Sequence, residues 1–309
     1  LVISGTASPA GDPSGDQGIL LEALSGIDNL ALSTGAAVQF SDSVAASLAN
    51  GSLSNLAIDA GTLAPTAVSV GNELQLRLTG SEAVDFTDVA LQAQALSLES
   101  FGGGQFLVNS PSLNLASNQA LTVSQQGSGA TSLALITGAG GSLSVSGAGD
   151  LLVNQLQASG DVSLSTGSGS LSLAGVAQTI GSTLQLSAPA GSISTAGSTG
   201  LPSSFGSVAA VAGEAITLEA AQLRQLSASS GGAISVTSSD TGQLSLGSLA
   251  AQGTLQISAA QGSLLVSDPG ALTGTEMALL AGDVLQINTD LSTSLQASSS
   301  LSLAGGVLK

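Results

Sequence analysis

The sequence predicts an all-β fold: a right-handed parallel β-helix, a β-solenoid whose coils hold about 20 residues each. Three observations point there. Apolar residues alternate with small polar ones at period two, as in Val162/Leu164 and Leu171/Leu173, the mark of strands with one buried face. Glycines such as Gly160, Gly167, Gly169 and Gly175 fall between these pairs, where a chain has to turn. The whole phrase then recurs along the chain, and self-similarity at such a period signals stacked repeats.

The strands come first. VSLSTGSGSLSL (162–173), LQLSAPAGSIST (184–195) and LQISAAQGSLLV (255–266) align, each opening on an apolar–x–apolar pair. The next inward residue in each is Leu171, Ile193 or Leu264, preceded two positions earlier by Gly169, Gly191 or Gly262. Opening pairs recur at Leu30, Leu53, Leu74, Leu96, Leu113, Leu133, Val162, Leu184, Ile216, Ile234, Leu255 and Met277. Two steps, across 136–161 and 187–215, are longer than the rest. The second contains STGLPSSFGSVAAVAGEA, where Pro202 and Phe205 interrupt the rhythm. The expected organisation is therefore one continuous solenoid over residues 1–309 with a loop insertion near 196–215.

Competing folds fit less well. A leucine-rich repeat needs a fixed Asn or Cys and a helical segment in each unit, and Ser, Thr and Gly are too frequent here for helices. Sandwiches and up-and-down barrels use longer strands and more aromatics, whereas only 2% of this chain is aromatic. With 43% hydrophobic residues the interior has to be built from aliphatic side chains in many similar layers, each buried only by its neighbours.

Charge narrows the partners. The chain carries 20 acids against 3 bases, a formal net charge of −17. Nucleic acid and anionic membrane surfaces are recognised through Lys and Arg, so neither is an expected partner. No run of 18 apolar residues occurs, so no membrane-inserting helix is expected. Residues 1–20 show no basic stretch followed by an apolar core, and the expectation is a processed product or a piece of a longer chain.

The passages GDVSLSTGSGSLSLAG, GGAISVTSSDTGQLSLGSLAAQGTLQISAAQGSL and AGDVLQINTDLSTSLQASSSLSLAGG resemble the filamentous haemagglutinin class of secreted bacterial exoproteins. They also resemble the repeat regions of giant bacterial surface proteins. The Asn-Pro-Asn-Gly type motif of that class's secretion domain does not occur. The resemblance implies export to the cell surface or extracellular space and a structural or adhesive role, with cell-surface glycans or proteins as partners. The chain then reads as a non-enzymatic shaft whose ends meet flanking repeats or copies of itself. A filament or sheath subunit that stacks end to end is the alternative, and a polysaccharide-binding or polysaccharide-cleaving β-helix is a third reading.

Candidate chemistry is sparse. With no His and no Cys, Ser-His and Cys-His pairs and the usual zinc sites are excluded. No cofactor is expected. The GGG at Gly102–Gly104 lacks the lysine of a phosphate loop and reads as a plain loop. Asp85 and Asp88 in VDFTDVA could form an acid pair of the glycosidase kind; the bland reading is solvated acids at a coil edge. Asp12 and Asp16, in the Gly/Pro/Ser loop AGDPSGDQG, are the candidate calcium ligands, against a plain turn. Glu214 with Glu219, and Asp283 with Asp290, read as solvent-facing. Arg77 in LQLRLTG alternates with leucines and is expected to point outward, paired with an acid of an adjacent coil.

Overall fold

The computed structural model describes residues 2–4, 18–137, 141–195, 204–267, 271–288 and 295–308. The chain is nearly all β, with 65% of it in strands, and forms a parallel β-solenoid with about 12 turns of about 21 residues. The turns are distributed between two compact units, Leu1–Gly147 and Ala148–Lys309.

In the unit Ala148–Lys309, strict alternation places one aliphatic residue of each coil directly over the last. One ladder runs Leu151, Leu171, Ile193, Ile216, Ile234, Leu255, Met277 and Leu301 in parallel register. A second runs Val162, Leu184, Val208, Leu226, Leu246 and Val266. Every rung of the second ladder is buried, as is every rung of the first up to Met277. Full burial of such a side chain is worth about 1.5–3 kcal/mol, and each coil gains it only when a neighbour covers it.

The register corrects the phase of the sequence alignment. Leu255 stacks on the ladder of Leu171 and Ile193, not on that of Val162 and Leu184. The physical reason is that more than one side of the coil carries the same Leu-x-Leu phrase, so self-similarity alone does not tell the sides apart. On the first ladder successive rungs are 18 to 24 residues apart. Ile193 pairs directly with Ile216, an interval of ordinary length. Within the segment where the sequence predicts an insertion, Ser204–Ala212 is a strand in register with Leu171–Ala188 and Gln222–Ser230; residues 196–203 lie outside the described residues.

Glycines stand where coil backbones meet at corners. A Cβ added at Gly191 would fall on the carbonyl oxygen of Gly169, and one at Gly231 on that of Gly213. Gly262 stands in the same relation to Gly242, but at a different corner, following Leu255–Ala259 rather than preceding that ladder. Replacing Gly231 with Ala must push the adjacent backbones apart, and is expected to destabilise by about 1–3 kcal/mol. Gly35→Ala, where an added Cβ meets nothing, is expected to stay within about 0.5 kcal/mol. Urea denaturation of the two variants checks the contrast.

The unit Leu1–Gly147 has its own ladder: Leu30, Leu56, Leu74, Leu96, Leu113 and Leu133, all buried. Leu53 pairs instead with Val70. The widest interval, Leu30 to Leu56, contains helix α1 (Asp42–Ala49), which the strand pattern of the sequence does not predict. Ser41 caps it by accepting from the Val44 N–H at 3.4 Å, Asp42 suits the positive end of its dipole, and Val44 and Leu48 form its buried face. Gly51, at φ +73°, stops it. Beside this ladder, Phe86 and Phe106 pair in register and stack with centroids 5.3 Å apart and planes 13° from parallel.

Several buried hydroxyls serve the corners. Ser100 donates to the Gly103 carbonyl at 2.7 Å, and Ser117 to the Ser100 carbonyl at 2.8 Å. Gln125, also buried, clamps Ser110: its Oε1 accepts from the Ser110 N–H at 3.2 Å and its Nε2 donates to the Ser110 carbonyl at 2.6 Å. These groups satisfy turn backbone that would otherwise be buried unpaired.

Candidate functional site

The carboxylate pair with the strongest claim on chemistry sits on the strand Val84–Gln92. Asp85 precedes the buried Phe86, and the pairing with Gly104–Asn109 shifts immediately after Phe86, so Thr87, Asp88 and Val89 form a bulge. Bulges re-aim side chains, and here Asp85 and Asp88 both stay exposed. Asp85 accepts from the Thr87 hydroxyl at 2.7 Å and the Thr87 N–H at 2.9 Å. These two bonds hold its carboxyl below the usual carboxylate range. A glycosidase general acid needs the opposite, a carboxyl raised by burial or a neighbouring charge.

The other acids do not converge. Asp12, Asp16 and Asp290 lie outside the described residues. Glu214 is exposed and accepts from Ser192 Oγ at 2.9 Å, while Asp283 is exposed and accepts from Ser263 Oγ at 3.1 Å. Glu219 is exposed on the strand Ile216–Ala220. Among the described residues, no three acidic side chains gather to hold a metal ion, and no helix is long and apolar enough to cross a membrane. The triple glycine is a corner: Gly103 has φ +75° and Gly104 φ +139°, and a Cβ on either would fall on a carbonyl oxygen, of Ala120 or Val84.

Arg77 does what its alternation suggests. Asp59, Arg77 and Glu99 occupy one outward column on three successive strands. The guanidinium lies 3.3 Å from Asp59 and 3.0 Å from Glu99 and rests 5.2 Å from the centroid of Phe101. Asp59 first, and Glu99 next, favour its charged form beyond the usual arginine range. Its side chain is 45% exposed, and exposed pairs are weak and screened by salt. Arg77→Ala is expected to lower the midpoint of thermal unfolding slightly, by an amount that shrinks as salt is added.

Beside this column lies a shallow groove of about 260 Å³. Its columns run Asn29–Asn55–Glu73 and Ala31–Ala57–Gln75. Asn55 Nδ2 donates to Asn29 Oδ1, its Oδ1 accepts from the Glu73 N–H at 3.2 Å, and Gln75 Nε2 donates to Glu73 Oε1 at 2.7 Å. None of these residues stands out in the sequence apart from its leucine neighbours. Only the coil register brings them together.

A last feature is the coil formed by Leu295–Ala304 and Val307–Leu308. Leu301 is 47% exposed although Met277, beneath it on the same ladder, is 1% exposed. Leu308 is 60% exposed over a buried Leu285. No family model matches the chain, and no curated protein or solved structure matches it either.

Proposed function

We propose that the chain is a structural, non-catalytic shaft of an exported cell-surface or extracellular adhesin-like protein. The observation that carries this reading is the ladder from Leu151 to Met277, in which every rung is buried and every step is a parallel, in-register pairing. Such stacking makes each coil a spacer, and the backbone pairing along it resists both stretching and proteolysis. Few charges and almost no bases keep its sides from sticking to polyanions. Immunogold labelling of intact source cells tests the location: label on unpermeabilised cells supports the reading, and label only after permeabilisation overturns it.

A further inference from the structure

We infer that the groove over Ala31 and Ala57 is a binding site for an uncharged hexopyranose unit of a glycan. This goes beyond the shaft reading and does not depend on it. Three properties of the groove match that class of ligand. First, its floor carries two alanine methyls in adjacent coils, a small apolar platform for the C–H face of a sugar ring, and its volume of about 260 Å³ admits a single ring.

Second, its sides are amides and a carboxylate fixed by one another. Asn55 is held between Asn29 and the Glu73 N–H, and Gln75 is held by Glu73. An amide presents a donor and an acceptor side by side, the pattern that two neighbouring ring hydroxyls, each both donor and acceptor, complete. Because the register positions these groups before any ligand arrives, little side-chain entropy is lost on binding. Third, the surroundings carry the wrong sign for an acidic sugar or a phosphate. Glu73 lines the groove and Asp28 accepts a hydrogen bond from its Asn29, while the nearby Arg77 is shared between Asp59 and Glu99. Without an aromatic platform and with an open mouth, the site is weak for one ring, with a dissociation constant on the order of 1 mM. Useful adhesion would then come from many copies.

Saturation-transfer NMR on the full chain, with methyl hexopyranosides as probes and methyl glucuronide beside them, tests the site. Transfer to at least one neutral hexoside is expected, with the glucuronide weaker. Ala57→Leu, which fills the floor, and Gln75→Ala, which removes an exposed amide, are each expected to weaken binding about tenfold. Thermal unfolding confirms that both variants fold, and Ser235→Leu on the other unit is expected to bind as the wild type does. No transfer to any neutral hexoside overturns the inference, as does wild-type binding by the Gln75 variant or preference for the glucuronide.

Discussion

Leu255→Asp is expected to abolish cooperative folding of the unit Ala148–Lys309, while Gln256→Asp next to it leaves stability unchanged. Leu255 is fully buried between Ile234 and Met277. A carboxylate there has no cation to meet, since the chain has only 3 bases. The penalty for burying an unpaired charge is several kcal/mol, a large share of the roughly 5–15 kcal/mol that holds a domain together. Gln256 lies on the outer side of the same strand and is exposed, where substitutions cost within about 0.5 kcal/mol. Chemical denaturation followed by circular dichroism reads both. Equal effects from the two substitutions would mean that inside and outside are wrongly assigned on this strand.

Phe106→Ala is expected to be the most damaging truncation in the unit Leu1–Gly147. Phe86 and Phe106 are among its largest fully buried side chains, and each rests on the other. Removing one ring leaves a cavity and an unstacked partner, at a cost of about 3–5 kcal/mol. Phe106→Leu keeps most of the volume and is expected to lose less than half as much. The fall in denaturant midpoint at constant slope checks the order, and equal loss in both variants would indicate that stacking and cavity volume are not what the pair contributes.

Much of the fold is legible in the sequence because its strands obey period two with few exceptions. Leu-x-Leu pairs, glycine corners and the shortage of aromatics suffice to predict a solenoid. Phase is not legible, because Leu184 and Leu255 open nearly identical phrases on different sides of the coil, and Gly191 and Gly262 mark different corners with the same spacing. Helix α1 is hidden by its serines, although Ser41, the Val44/Leu48 spacing and Asn50-Gly51 together form a capped and stopped helix. Inward hydroxyls such as Ser100 and Ser117 look outward in a pattern that counts only apolar residues.

The candidate sites divide in the same way. Arg77 can be placed from LQLRLTG because alternation alone sets its side of the strand. The groove cannot, since Asn29, Asn55 and Glu73 are separated by a coil each and become neighbours only through register. Ala31 and Ala57 carry no chemical signal in sequence and matter only as the floor between polar columns.

A pair of introduced cysteines probes the parallel in-register stacking of the coils. The chain has no native cysteine. Ser235 and Gln256 are Cα partners on adjacent strands and both point away from the core. The strand spacing of about 4.8 Å lies within the range a disulfide spans. Ser235→Cys with Gln256→Cys is predicted to close an intramolecular disulfide on mild oxidation. Ser235→Cys with Ser258→Cys, two residues out of that register, is predicted to stay reduced. The opposite outcome would contradict the ladder.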